Sequence, residues 1–236
     1  MQHLHAYDKT INNHAELERV LNEQRADVWL LQEVDRNKKR SQYVDQTEFI
    51  ASLVGAQHFH FKETILRPRE DGEYGIAIVS KIPVIDWKIL DLSTLRVRKP
   101  MKFSFTGKPK WYLVRDHPRA AIAAVLDNGW CVVDTHMSFI PFIAHWQLQK
   151  IVRWASAIAE SHGAKLVIGG DFNIQQVGWL KRYGLKSSVK GKTFPLENPT
   201  EQIDHLMIPT GDDFSGAMVG PKNGVSDHLW IAVDVG

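Results

Sequence analysis

The apolar positions of this chain fall into short runs that end on acids, glycines and prolines, and their spacing predicts the elements. In NHAELERVLNEQRAD, Leu17, Val20 and Leu21 recur at helical spacing, with Asn13 in front and Glu16 three residues on. That is the pattern of a capping box leading into an amphipathic helix. DVWLLQEVD reads as a buried strand running into an acidic end. DQTEFIASLVGA repeats the helix logic, with Asp45 and Glu48 as the box and Gly55 as the stop. YGIAIVSKIPV is a strand ended by Pro83, and RAAIAAVLDNGWCVVDTHMS is two apolar runs joined by Asp127-Asn128-Gly129, a hairpin signal. PFIAHWQLQKIVRWASAIAESHG predicts a long helix with Pro141 early and Gly163 late. KLVIGG, QIDHLMIP and DHLWIAVDV predict further strands. Strands therefore come both as hairpins and alternating with helices. A mixed sheet flanked by helices, or two packed sheets with helices outside, accommodates that order, and periodicity does not choose between them.

Composition narrows the class. The chain has 236 residues, 44% of them hydrophobic, with eight Trp and ten Phe, enough for a sizeable core. No repeat or linker divides it, so a single domain over residues 1–236 is expected. A formal net charge of +2 gives no bulk argument for nucleic acid. Cys131 stands alone and forms no internal disulfide, which fits a reducing cytosol. No apolar stretch approaches the roughly 18–20 residues that span a bilayer, and the first ten residues lack a signal-peptide core. A cytoplasmic protein without a transmembrane segment is the expectation. Between Trp87 and Arg119 the local charge is high. Arg96, Arg98, Lys99, Arg115 and Arg119 are among the basic residues interleaved there with Phe103, Phe105, Trp111 and Tyr112. Such a stretch suits a phosphate-bearing polymer, whose backbone follows the charge and whose bases stack on the rings; the alternative is a solvated loop or hairpin.

Polar residues cluster where the apolar runs stop: Glu33 in LLQEVD, His136 in VVDTHMS, Asp171 and Asn173 in VIGGDFNI, Asp227 and His228 in GVSDHLW. Strand ends deliver side chains into a shared cleft. Carboxylates gathered there suit a hard cation, and a histidine suits phosphate oxygens or a leaving group, a set matched to metal-assisted phosphoester hydrolysis. Each cluster also has a plain reading. Glu33 can be a solvated acid, Asp171 and Asn173 turn formers, His136 a hairpin residue, and Asp227-His228 a cap. Gly169 and Gly170 favour a tight bend either way. Asp204 is different: it lies inside an apolar strand signal, where a carboxylate is costly unless paired, and a histidine would satisfy it.

Taken in order, LQEVD, YGIAIVSKIPV, DTHMS, GGDFN, QIDHLMI and SDHLWIAVDV resemble the successive motifs of the endonuclease/exonuclease/phosphatase superfamily, the deoxyribonuclease-I-like fold, from about Asp27 to Val235. The resemblance implies an α/β four-layer α-β-β-α sandwich, two mixed sheets packed face to face with helices outside. It implies a phosphoester hydrolase that uses Mg²⁺ or Mn²⁺. By the same resemblance Glu33 is the metal-binding glutamate and Asp227 a metal-linked acid. Asp171 orients or deprotonates the attacking water, and Asn173 contacts the phosphate. His136 is a phosphate ligand or general acid, His228 is placed against a phosphoryl oxygen, and Asp204 orients His228.

Three departures stand out. The family opens with a strand ending in W-N-I or Y-N-I, and none is visible here; Asn12 and Asn13 come too late. The expected domain is therefore N-terminally incomplete through a truncated or misplaced start; the alternative is a true lack of the strand, which would leave backbone groups of its neighbours unpaired, with QHLHAY a candidate to fill part of the gap. Ile76 stands where relatives often carry asparagine, and Asp134 where a neutral residue is common. The leading expectation is a nuclease acting on DNA or RNA. A phosphatase or phosphodiesterase on lipid head groups or small phosphates is the alternative within enzymes, with SFIPFIAHW as a candidate membrane loop. A non-catalytic binding protein that keeps the fold is the third. No protein partner is inferable.

Overall fold

The computed structural model describes residues 14–64, 72–94, 98–103 and 110–236. The Asn13 cap, Asn12 and Arg96 lie outside them, as does the side chain of Lys99. The first half holds α1 (His14–Gln24), β1 (Val28–Arg36), α2 (Gln46–Val54), β2 (His58–Glu63), β3 (Glu73–Ser80) and β4 (Val84–Leu92). Then follow β5 (Arg98–Phe103), β6 (Lys110–Arg115), β7 (Arg119–Leu126), β8 (Trp130–His136) and α3 (Pro141–Ser161). The last third holds β9 (Lys165–Asp171), β10 (Leu185–Ser187), β11 (Asp204–Pro209), β12 (Phe214–Val219) and β13 (Ile231–Val235).

Local chemistry sets the element ends. Asp45 caps α2 by accepting from the Thr47 and Glu48 amides, and Gly55 closes it in the left-handed conformation. Pro141 opens α3, where its missing N–H costs nothing. The Asp127–Gly129 turn joins β7 to β8 as expected. The basic stretch that the pattern left open is a hairpin of β5 against β6.

Two sheets organise the chain. One has six strands in the order β10-β11-β9-β8-β7-β4, mixed because β8 and β9 run parallel while the other pairs are antiparallel. The other has three antiparallel strands, β1-β3-β2, and β12 with β13 forms a separate pair. The alternation of side chains along each strand stacks the layers. In β3, Ile76 and Ile78 point to β7 and β8, while Ala77 and Val79 join Leu17, Val20 and Ile50 of α1 and α2. In β7, Ala120, Ile122 and Ala124 meet β3, while Ala121, Ala123 and Val125 meet Leu148 and Ile151 of α3. That is the helix-sheet-sheet-helix sandwich, and it explains why β3 and β7 are apolar along most of their length: both faces are covered. Ile76, where an asparagine was the family norm, is simply core.

Gly169 and Gly170 are not in a bend. They lie inside β9, paired with Leu206 and His205 on one side and Asp134 and Thr135 on the other. Close approach is what demands glycine. A Cβ on Gly170 would stand 1.9 Å from the Thr135 carbonyl oxygen, and φ is +129°. Gly170→Ala should therefore cost about 3 kcal/mol or more in chemical denaturation. Gly163→Ala, at φ +61° with open space around it, should cost only about 1 kcal/mol. Equal costs would contradict the close-approach account.

Candidate active site

Strand register assembles the centre. The last residue of β9, Asp171, lies opposite His136 at the end of β8 and opposite Asp204 at the start of β11. Paired residues on adjacent strands share a face, so three polar side chains converge without any loop having to place them. His136 Nε2 stands 3.5 Å from Asp171 Oδ2. His228 arrives from the segment before β13, and its Nδ1 bonds Asp204 Oδ2 at 2.8 Å. Its ring also packs on Phe194, with centroids 4.7 Å apart. Asp204 thus has the histidine partner that its apolar setting demanded. Asn173, in a left-handed conformation at φ 53°, donates its backbone N–H to Asp171 Oδ1 at 2.8 Å. Its Nδ2 donates to the Met137 carbonyl at 3.0 Å.

Burial then decides where protons sit. Removal from water and the neighbouring Asp204 charge push Asp171 up to about 7, against the pull of His228 and the Asn173 amide. Burial alone would lower His228, but the Asp204 charge and hydrogen bond, with Asp171 and Asp227 behind them, outweigh it and raise the imidazole to about 9. His136 goes the other way: burial holds it well below its ordinary value, and the charges of Arg119 and His228 add to that. At neutral pH the site therefore contains one imidazolium, His228, one neutral imidazole, His136, and an Asp171 poised between its two forms.

Glu33 reaches the same cleft by a different device. β1 bulges between Gln32 and Val34, and Glu33 takes φ 58°. A bulge re-aims a side chain that strict alternation would send elsewhere. Behind it Arg40 clamps Asp35 with two bonds of 2.7 and 2.6 Å. Tyr74, which motif reading treated only as the start of a strand, has its phenol raised by burial, by the Glu33 charge and by a hydrogen bond to Glu33. Glu33, Asp171, Asp204, Asp227 and His228 all border one cavity of about 520 Å³. The tightest group is Asp171, Asp204 and His228, with ligating atoms within 4.8 Å of one another; Glu33 and Asp227 stand outside that trio. The bond between His228 Nδ1 and Asp204 Oδ2 already joins two members of the trio. The hard oxygen donors of Glu33, Asp171 and Asp227 are the set that suits a divalent cation, and the unfavourable desolvation of Asp171 is what a cation would relieve.

The remaining expected residues separate. Arg98 and Arg115 are exposed on the β5–β6 hairpin, beside Trp111 at 69% and Leu113 at 63% exposure. Arg119 is 5% exposed and pairs with Asp116 at 3.7 Å, so it is no surface contact. Its charge reaches inward, to Tyr74, His136 and Asp171. Ser138 donates to Asp116 at 2.6 Å, tying the segment after His136 to that buried pair. Asp134 is fully buried, accepts from Gln32 Nε2 at 2.6 Å across the two sheets, and burial drives its carboxyl well up toward the protonated form. Of the candidate membrane loop, Phe142 and Trp146 are exposed while Ile140 and Ile143 face the core. Among the described residues no helix is long and apolar enough to cross a membrane.

Comparison with known proteins agrees with this geometry. The model of the Endonuclease/Exonuclease/phosphatase family matches residues 8–228. No curated protein matches in sequence. Among solved structures, an endonuclease/exonuclease/phosphatase from Beutenbergia cavernae superposes with TM-score 0.72 at 17% identity, over 100% of this chain and 69% of its own. The mannosyl-6-phosphatase Bt3783 of Bacteroides thetaiotaomicron gives 0.64 at 12% identity, over 93% and 89%. The 3′ phosphatase NExo from Neisseria, bound to a product DNA hairpin, gives 0.58 at 15%, over 94% and 93%. These identities speak for the fold, and the family match over most of the length speaks for descent: the chain belongs to the endonuclease/exonuclease/phosphatase family, whose members hydrolyse phosphoester bonds.

Proposed function

We propose that the chain is a divalent-cation-dependent phosphodiester hydrolase, and that its substrate is DNA or RNA. The observation that carries this reading is the split of protonation states around one cleft: Asp171 raised to about 7 as base, and His228 raised to about 9 as fixed cation, 2.8 Å from Asp204. Asp171 accepts a proton from a water, whose oxygen attacks phosphorus in line. The ester P–O bond breaks opposite, and the leaving oxygen takes up a proton from solvent water. Negative charge builds on the non-bridging oxygens, where the His228 imidazolium and the second N–H of the Asn173 amide donate without having to reorganise. Asp204 keeps His228 oriented and charged. His136, held well below its ordinary pKa by burial, takes the phosphate-ligand role of the two that the resemblance allowed and donates a hydrogen bond. Glu33, Asp227 and Asp171 would hold Mg²⁺ or Mn²⁺, which supplies further charge neutralisation at the phosphate. The exposed Arg98, Arg115 and Trp111 support a polymer substrate, with charge along the backbone and a ring for a base.

Hydrolysis of plasmid and single-stranded DNA with Mg²⁺ or Mn²⁺ is the direct assay. Asp171→Asn should lower kcat by roughly 10²–10⁴-fold, the range of a general base. The same variant should melt at a higher temperature than the parent at pH 8 in the presence of chelator. The sign follows from the raised pKa: the native state prefers protonated Asp171, so its ionisation opposes folding increasingly from about pH 4 through 7. A variant that loses activity and also melts lower would mean that Asp171 is structural.

The profile of kcat/KM against pH should be bell-shaped. Its rising limb lies at or below about 7, moving lower as a cation stabilises the Asp171 carboxylate. Its falling limb lies near 9, where His228 loses its proton. A profile flat through pH 9 would remove His228 from its role.

Affinity for an oligonucleotide should fall steeply with salt, and Arg98→Ala and Arg115→Ala should each reduce the slope of log K against log salt by about one. Turnover of a small phosphate ester with no such salt dependence in any substrate would favour the phosphatase reading over the nuclease.

A further inference from the structure

Among the described residues the six-stranded sheet and the β5–β6 hairpin share no ladder. The last rung between β4 and β7 pairs Leu92 with Arg119, and the first rung of the hairpin pairs Arg98 with Arg115. Between those rungs lie residues 93–97 on one arm and 116–118 on the other, and Pro118 has no N–H to give. Arms of unequal length break the register, so ladder hydrogen bonds do not set the angle at which the hairpin leaves the sheet. A two-stranded hairpin has little stability of its own, so its placement has to come from elsewhere.

Polar side chains at its root supply that placement. Asp116, 3% exposed, lies on the returning arm. Its Oδ2 accepts from the Thr94 hydroxyl on the departing arm and from the Ser138 hydroxyl at 2.6 Å. Ser138 stands just beyond His136, and its backbone N–H donates to Gln147 Oε1 at 2.8 Å. Gln147, fully buried in α3, donates its Nε2 to the Ser93 carbonyl at 3.1 Å. Two bridges therefore join the same places, one through Asp116 and one through Gln147. Arg119 balances the carboxylate, with Nη2 3.7 Å from Oδ1, yet neither that oxygen nor Arg119 Nε has a hydrogen-bond partner among the described residues. Attraction of that kind has little directionality. The two hydroxyl bonds have it, and a buried carboxylate enforces them, because losing one leaves it short of a donor.

We propose that Asp116 is a positioning residue. Through Thr94 on one side and Ser138 on the other, it sets Arg98, Arg115 and Trp111 of the hairpin at a fixed distance from His136 and Asp171, so that a nucleic-acid strand held on the hairpin is aligned at the reacting centre. This role rests on the nuclease reading, and it gives the hairpin a part in rate as well as in affinity. His136 does not need the junction, because β8 is laddered to β7 on one side and to β9 on the other. A small phosphoester that never touches the hairpin is therefore indifferent to the junction, while a polymer that touches both places is not. Misplacing a bound substrate by about 1 Å costs on the order of 10²-fold in rate.

The test compares Thr94→Val, which keeps the shape and removes the donor, with Thr94→Ser, which keeps a donor, and with Arg98→Ala. The substrates are a single-stranded DNA oligonucleotide and bis(p-nitrophenyl) phosphate, each with Mg²⁺ or Mn²⁺. Thr94→Val should lower kcat on the oligonucleotide roughly 10- to 100-fold while KM changes less than about threefold. Arg98→Ala, which removes a contact, should instead raise KM. Thr94→Ser should bring kcat back to within about threefold of the parent, and both Thr94 variants should hydrolyse the small diester at the parent's rate. Amide hydrogen exchange, read without substrate, should quicken at least about fivefold in 98–103 and 110–115 of Thr94→Val and stay unchanged in 130–136. Equal losses on both substrates, or a loss that Thr94→Ser does not repair, would make the junction a plain structural support and overturn the proposal. Unchanged exchange in the hairpin, or an oligonucleotide kcat untouched by Thr94→Val in a parent that cleaves it, would overturn it too. A parent that cleaves no oligonucleotide would sink the nuclease reading, and the hairpin's role with it; that result shows in the parent, before any variant is compared.

Discussion

The constraint on which this molecule turns is the placement of two carboxylates side by side out of water. Asp171 and Asp204 are register partners on adjacent strands, and both are nearly buried. Two like charges in that position cannot both stay ionised without compensation. One compensation is built in: His228 carries a proton at 2.8 Å from Asp204 and is held there by Phe194. The other is left open, and Asp171 answers by titrating near neutrality. A site with a standing deficit of positive charge, bordered by the oxygens of Glu33 and Asp227, is one that a divalent cation and a proton compete to fill. In the proposed reading a divalent cation supplies the missing positive charge, and the place for it follows from the register that sets Asp171 beside Asp204.

The register itself depends on features that serve no chemistry directly. Gly170 lets β9 pass within contact of the Thr135 carbonyl, which brings His136 and Asp171 level. Asp134, one residue earlier on the same pair of strands, ties the six-stranded sheet to Gln32 of the opposing sheet. That bond spans the core just before the Glu33 bulge, so it fixes how far Glu33 stands from Asp171. Burial pushes the Asp134 carboxyl well up, and the amide donated by Gln32 to its Oδ1 pulls the other way.

Much of this was legible from residues alone, and the limits have physical causes. The hairpin at Asp127–Gly129, helix α3 and the α2 caps are local events with local signals, and the sequence showed them. The Asp204–histidine pair was legible for an energetic reason: a carboxylate in an apolar strand has to be answered. The bulge at Glu33 was not, because one extra residue leaves the apolar pattern of β1 almost unchanged. The two glycines suggested a bend because their real cause, contact with a neighbouring strand, is tertiary. The Gln32–Asp134 link joins positions 102 apart, and nothing near either residue announces it. Arg119 looked like part of a basic surface and is instead buried at the start of β7, since charge along the chain says nothing of which way a strand faces. The last strand is shorter than its apolar run because Asp227 to Trp230 are drawn into holding His228. The Asp227 carbonyl accepts from the Leu196 amide, and the Leu229 amide donates to the Thr193 carbonyl.

The site is thus assembled from supports of unequal stiffness. His136, Asp171 and Asp204 sit at the ends of three neighbouring strands in one continuous sheet, and their mutual positions follow from unbroken ladders. Glu33 sits at the bulge of β1 in the three-stranded sheet and Asp227 in the segment before β13, and neither shares a ladder with the six-stranded sheet among the described residues. Elements with open edges and half-buried apolar residues are those that open at the lowest free energy. In the proposed reading the acid–base residues therefore rest on the continuous sheet, while the carboxylates that would hold a cation with Asp171 rest on elements outside it. His228 links the halves: its ring belongs to the Asp204 pair, and its backbone begins the approach to β13.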